Sequence, residues 1–230
     1  MTHQVADTDR QWQFSLQLAA HELDTIAETL QTTYAALDAI RIIVTVTFSN
    51  VPAKSLSFDY RITINDETLA AHLDWPDWHP EHVHFTDYLW QETCLECFIA
   101  LKNSTAYIEV NASPDGRYAL YQFGDYRTPN HLPPTALYNT QDNKAASIYW
   151  PSSYISSSTD TETTIQPDSQ EYNRRFNIPL SELRAIDPDF YPAYLHPCVI
   201  LKLAGMHLYF APVHPSPPDF HNKDYWTALS

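Results

Sequence analysis

Residues Thr93 to Phe123 read TCLECFIALKNSTAYIEVNASPDGRYALYQF, and this stretch decides the fold. Three runs rich in strand-forming residues, Thr93 to Leu101, Thr105 to Asn111 and Arg117 to Phe123, lie close together. Only Lys102-Asn103-Ser104 and Ala112-Ser113-Pro114-Asp115-Gly116 separate them. Connections this short cannot carry a parallel crossover, so the runs are antiparallel neighbours in a β-meander. Strand alternation sends Leu95, Cys97, Ile99, Ile108 and Val110 to one face, which belongs to the core. If Asn111 lies opposite Arg117, then Tyr107, Glu109 and Asn111 share the other face with Arg117, Ala119, Tyr121 and Phe123. That face combines a carboxylate, an amide, a guanidinium and aromatic rings. Rings stack on the C–H face of a sugar while Glu, Asn and Arg hold its hydroxyls, so the face suits a polyhydroxylated ligand. The plainer alternative is a solvated outer face with a structural Glu–Arg pair.

The same alternation extends outward from the meander. Phe14, Leu16 and Leu18 alternate with polar residues, as do Leu56, Phe58, Tyr60, Ile62 and Ile64. Between them Ile42 to Phe48 is β-branched and reads as a more deeply buried strand. Further strands are expected at Ser147 to Trp150, Tyr172 to Ile178, Cys198 to Leu203 and His207 to Ala211, with Gly205 at the last turn. One segment departs from the pattern. Leu23, Ile26, Ala27, Leu30, Tyr34 and Leu37 fall at helical spacing, which predicts a helix near residues 22–38. Ser153 to Ser169, rich in Ser, Thr and Asp, reads as an exposed, mobile loop. With no repeat and no linker, residues 1–230 are expected to form a single, mainly β domain, an antiparallel β-sandwich.

Composition narrows the function classes. The chain has 230 residues, 44% of them hydrophobic, enough for a substantial core. Three glycines leave no room for a Gly-rich phosphate loop, so no nucleotide cofactor is expected. The net charge of −15 repels phosphate backbones and anionic membrane surfaces, which argues against nucleic acid and membrane partners. The start, MTHQVADTDRQWQFSLQ, lacks a basic end and an apolar stretch, and no apolar run reaches membrane-spanning length. Cys94, Cys97 and Cys198 cannot all pair within one chain, so reduced thiols and a cytoplasmic address are expected.

Several short motifs occur in a characteristic order: Leu89-Trp90, then Thr93-Cys94-Leu95-Glu96, then Glu109 to Tyr118, then Tyr126-Arg127, and finally His214-Pro215 with Pro218-Asp219-Phe220-His221. In this the sequence resembles a bacterial family of DOMON-like domains related to type 9 carbohydrate-binding modules. The resemblance spans roughly residues 10 to 226 and is most specific over 89–127 and the C-terminal motif. It implies a jelly-roll-like β-sandwich without an established enzymatic activity. It also implies a sugar-binding role for Trp90, as a stacking ring, and for Glu96 and Arg117. Glu109, Asn111 and Arg127 complete the candidate ligand-binding set. A second stacking ring has no clear match; Trp150, Tyr172 and Tyr209 are the candidates. The chain departs from its relatives at Leu95, where they carry Phe, at Tyr118, where they carry Trp, and in the Ser/Thr-rich insertion.

Other groups have side chains suited to chemistry. Cys94 and Cys97 form a C-x-x-C, but residues three apart on a strand face opposite sides, so buried structural thiols are expected. His79, His82 and His84 could hold a transition metal, although their Pro-flanked loop favours a surface cluster and no metal is expected. His214, Asp219 and His221 are candidate catalytic residues if Asp219 orients an imidazole, or else lock the C-terminal segment onto the sandwich. Glu96 and Glu109 form a carboxyl pair for glycosidic chemistry if the first hairpin brings them together. Three functions therefore remain open: a carbohydrate or small-molecule binding module, a sugar-processing hydrolase or metal-dependent enzyme, and a structural or protein-interaction domain.

Overall fold

The computed structural model describes residues 9–50, 53–139, 143–151, 170–183 and 190–229. Its strands and helices run in the order β1 (Arg10–Leu18), α1 (Leu23–Thr29), α2 (Tyr34–Asp38), β2 (Arg41–Ser49), β3 (Ser55–Ile64), α3 (Glu67–Ala71), β4 (Cys94–Ala100), β5 (Tyr107–Ala112), β6 (Tyr118–Phe123), β7 (Gln170–Pro179), α4 (Leu180–Leu183), β8 (Tyr194–Leu203), β9 (Met206–Ala211) and β10 (Thr227–Ala228). The strands follow one another in space as β6-β5-β4-β8-β9-β1-β2-β3-β7, with β10 added to β8, and every pair is antiparallel.

β1 joins the two halves of this curled sheet. Arg10 to Leu16 pair with β2, whereas Gln17 and Leu18 pair with β9. The halves close on each other in a sandwich-like fold, and the alternating residues of both fill the space between them. Val44, Phe58 and Tyr60 on one half share a core with Leu120, Val199 and Phe210 on the other. Leu95, Cys97, Ile99, Ile108 and Val110 all belong to this core, as their parity requires. Tyr60 adds a polar tie across it, donating its hydroxyl to the Glu96 carbonyl at 2.6 Å.

Three expectations need correction. The helix over 22–38 is two short helices, broken at Leu30 to Thr33. Thr33 caps α2 by accepting the Ala36 N–H at 3.2 Å, because a β-branched hydroxyl residue serves a helix start better than a helix interior. Ser147 to Trp150 makes one isolated bridge, Tyr149 to Asn177, rather than a strand. There Trp150 turns into the core and donates its ring N–H to the Gly116 carbonyl at 3.1 Å. In the β5–β6 hairpin Asn111 lies opposite Ala119, not Arg117. The Ser113 N–H bonds to the Arg117 carbonyl at 2.8 Å, so the loop is shorter than the sequence suggested and the register moves by two. An even shift leaves every face unchanged. The expected loop from Ser153 to Ser169 lies outside the described residues.

Gly116 closes that hairpin with φ of +118°, and a Cβ there would stand 3.3 Å from each of the His79 carbonyl oxygen, Trp78 Nε1 and Val83 Cγ2. The outer edges of the sheet, β6 and β7, are partly covered. Thr86 and Leu137 donate backbone N–H groups to the carbonyls of Tyr118 and Leu120, and Tyr149 and Asn177 bond reciprocally. Among the described residues no helix is long and apolar enough to cross a membrane.

Candidate functional site

The outer face of the β4-β5-β6-β8 half is not left to solvent. The same alternation that buries Leu95 and Val110 points Cys94, Glu96, Phe98, Tyr107, Glu109, Asn111, Tyr121 and His196 outward. The C-terminal segment beyond β9 returns over them. Phe220 and Trp226 pack on Phe98 with ring centroids 6.4 and 5.6 Å away, and the Trp226 indole donates to the Phe220 carbonyl at 2.9 Å. This builds a second apolar cluster, separate from the sandwich core.

Within that layer lies a cavity of about 280 Å³. Its aromatic walls are Trp90, Phe98, Tyr209 and Phe220. Its polar groups are Glu96, Glu109, Arg127, Asp219 and His221, and Leu132, Pro134, Ile200 and Pro218 complete the lining. Trp90 sits in the 3-10 turn Leu89–Gln91 just before β4, half-buried against Tyr121 at 5.9 Å and Tyr88 at 5.2 Å.

The two glutamates are diagonal neighbours, because Glu96 faces Asn111 and Phe98 faces Glu109 across the β4–β5 ladder. Both are almost fully buried. Burial first, and Glu109 second, hold the Glu96 carboxyl well above the usual carboxylate range. The Cys94 thiol beside it acts the other way, and Glu96 Oε1 accepts no hydrogen bond among the described residues. Burial pushes the Glu109 carboxyl up to about 7, against the lowering effect of Asn111 and Arg127. Asn111 lies behind the cavity, fully buried, donating Nδ2 to Glu109 Oε1 at 2.7 Å and accepting from the Cys94 thiol at 3.7 Å. The thiols of Cys94 and Cys198 lie under the cavity and that of Cys97 in the core; all three are buried and free, and burial raises each.

His221 closes the far side. Tyr107 Oη takes the Arg127 backbone N–H at 3.1 Å and lies 2.8 Å from His221 Nδ1. With the phenol proton donated to Nδ1, the ring proton of His221 resides on Nε2, which stands 3.7 Å from Glu109 Oε2. Burial, followed by Arg127, lowers His221 to about 4, so the ring is neutral at pH 7. Asp219 does not orient this ring. Its Oδ1 accepts the His221 backbone N–H at 3.1 Å and Arg127 NH2 at 2.8 Å, and its Oδ2 accepts the Tyr126 hydroxyl at 2.6 Å. Burial alone would raise Asp219, but the bonds from Tyr126 and Arg127 hold it below the usual range. His214 is directed elsewhere, its Nε2 2.8 Å from the Gln17 carbonyl on β1. His196, fully buried behind Phe98, is pushed down to about 3 by burial and then by His214.

Of the six ligand-binding candidates, Trp90, Glu96, Glu109 and Arg127 meet at the cavity, and Asn111 supports it from behind. Arg117 does not reach it. Its guanidinium bonds Asp115 Oδ2 at 2.7 Å and Glu92 Oε2 at 2.6 Å, at the hairpin that precedes β6. Of the three rings considered for a second platform, Tyr209 lines the cavity, Trp150 lies in the sandwich core, and Tyr172 packs on Trp75 at 5.4 Å. Phe98 and Ile200 were missed, although their strand parity with Glu96 was readable. Leu132 and Pro134 come from an irregular loop and carried no signal.

His79 and His82 meet edge to face at 5.1 Å, and His82 Nδ1 lies 3.8 Å from Asp115 Oδ2. Among the described residues no group of three or more His, Cys, Asp or Glu side chains is arranged to hold a metal ion. Cys94 and Cys97 occupy opposite faces of β4 and cannot act together on one metal or disulfide.

No family model matches the chain, and neither does any curated protein. Among solved structures it is similar to a Bacteroides uniformis protein whose proposed role is carbohydrate binding, with a TM-score of 0.49 and 8% identity over 92% of this chain and 91% of that one. At that distance the likeness says nothing about a ligand.

Proposed function

We propose that this chain is a binding module for a monosaccharide or a similar polyhydroxylated small molecule, held between the outer face of β4, β5 and β8 and the C-terminal segment. The observation that carries this reading is the cavity of about 280 Å³ in which four aromatic rings face convergent, pre-positioned polar groups. Ligand pockets for drug-sized molecules occupy roughly 300–1,000 Å³, so this one fits a single small ring. The rings of Trp90 and Tyr209 line the cavity and can pack on C–H groups, and Glu96 and Glu109 supply carboxyl groups for hydroxyls. The DOMON-like resemblance adds to the reading through Trp90 and Glu96, and Tyr209 is the proposed second platform. Calorimetric titration with neutral monosaccharides tests it, with weak, salt-insensitive binding expected because few contacts are ionic. Absence of heat and of tryptophan fluorescence change across a panel of pentoses and hexoses would overturn it.

A second reading, glycoside hydrolysis, is favoured by one observation. Glu96 and Glu109 are neighbouring carboxyls, one held well above the usual range and the other pushed up to about 7, a division that suits an acid and a base. Release of the aglycone from aryl glycosides, lost in Glu96→Gln, is its test.

A further inference from the structure

Carboxyl groups outnumber cationic groups in the cavity wall. Three carboxyl groups, Glu96, Glu109 and Asp219, face a single guanidinium, that of Arg127. Arg127 is already engaged by Asp219 at 2.8 Å. Glu109 has an amide from Asn111 on one oxygen and only a distant, neutral imidazole, 3.7 Å away, near the other. Glu96 lines the same cavity, and its buried Oε1 accepts no hydrogen bond among the described residues. Trp90, Phe98, Tyr209 and Phe220 line the same cavity, and a ring face attracts a cation as a carboxylate does. The chain as a whole carries a net charge of −15, a field that draws cations and repels anions.

Building on the polyhydroxylated-ligand reading, we infer that the cavity is made for a sugar carrying a cationic amine, its ammonium seated between Glu96 and Glu109. An ammonium group has three donors and no acceptor, which matches two carboxyls whose free oxygens need donors. An anionic sugar, a uronate or a phosphate ester, would meet Asp219 with like charge and is disfavoured.

The inference predicts a proton exchange. The groups facing Glu109 are Glu96 and Cys94 on β4, Tyr107 on β5, Tyr121 on β6, Cys198 on β8, and Arg127, Asp219 and His221 on the covering segments. Of these only Arg127 is a cation near neutrality. At pH 6 an amine keeps its charge, and Glu109, pushed up to about 7, keeps its proton. A bound ammonium favours the carboxylate, so binding expels that proton to solvent.

Calorimetry with glucose and glucosamine, which differ at one substituent, tests this. Glucosamine is expected to bind at least about tenfold tighter than glucose at pH 7. At pH 6, heats measured in two buffers of different ionisation enthalpy are expected to report proton release for glucosamine and none for glucose. Glu109→Gln, close in volume, is expected to bring the two sugars within about twofold of each other; the proton count on the wild-type protein needs no variant. Equal affinities, or no proton release, would overturn the cationic ligand while leaving the sugar site standing. Failure of both sugars to bind would overturn the site itself.

Discussion

Tyr107 and His221 stand 114 positions apart in sequence and 2.8 Å apart at Oη and Nδ1. The contact fastens the C-terminal segment to β5, and the same phenol oxygen receives the Arg127 backbone N–H. One side chain thus sets the position of two cavity-lining residues.

Tyr107→Phe should therefore cost more than an ordinary surface change. It leaves the Arg127 N–H and the His221 ring without their partner in a half-buried site, a loss of about 1–3 kcal/mol. Urea unfolding followed by tryptophan fluorescence measures this, and faster hydrogen exchange at the Arg127 amide locates it. Unchanged exchange there would show that the contact does not hold the segment.

Trp90→Ala and Trp150→Ala should behave oppositely. Trp90 is half-buried on the cavity wall, whereas Trp150 is in the core, hydrogen-bonded to Gly116. Trp90→Ala is expected to fold and to lose roughly tenfold or more in sugar affinity, about 1.4 kcal/mol. Trp150→Ala is expected to lose about 3–5 kcal/mol of stability through the void it leaves. A Trp90→Ala protein that is unfolded at room temperature would put Trp90 among the structural residues instead.

Arg117 separates stability from binding. Its partners Asp115 and Glu92 lie at the hairpin that precedes β6, and Asp115 is almost fully buried. Arg117→Met removes the cation from that carboxylate and is expected to cost roughly 1–3 kcal/mol, discounted for the partial exposure of Arg117. Ligand affinity measured below the melting temperature should not change. A variant with native stability and lost affinity would return Arg117 to the ligand-binding set.

The buried acids and imidazoles oppose each other in their pH dependence. Glu109 titrates near 7 when folded and in the usual carboxylate range when unfolded, so the folded state holds the extra proton between those values. Stability contributed by that protonated form is lost as pH rises through this window, by up to about 1.4 kcal/mol per pH unit. His221 and His196 are lowered to about 4 and about 3, so there the unfolded state holds the proton and stability is lost as pH falls below roughly 6.5. Between roughly pH 4.5 and 6.5 the Glu109 slope opposes those of the two imidazoles and offsets them in part, one carboxyl against two rings. Glu109→Gln should remove its share of the loss of stability as pH rises towards 7, leaving that of Glu96. Thermal melts of both proteins across pH 4–8 measure it; a constant offset between the curves would mean that Glu109 titrates normally.

Strand parity made much of the meander legible. Ile108 and Val110 had to face the core once Glu109 faced away, and a shift of two residues in the hairpin register could not disturb that. The register itself depended on Ser113 pairing with Arg117, a choice between neighbouring turn lengths that parity cannot make. The destination of the Arg117 guanidinium was equally hidden, since Glu92 approaches from outside the hairpin. Tyr209 and Trp150 looked alike as stacking rings because only the chain's long-range path puts one on the outer layer and the other inside. The helix broke where Thr33 found a cap, a local event that the spacing of Leu30 and Leu37 concealed.

The covered margins of the curled sheet bear on how the protein behaves in a crowd. A bare outer strand is a template on which another molecule can grow a ladder, the first step towards fibrils. Here β6 is met by the backbones around Thr86 and Leu137, and β7 by Tyr149. Self-association by strand addition would first require peeling these segments away, so its onset on heating should follow the loosening of residues 84–86, 135–137 and 149 rather than the concentration of folded chains.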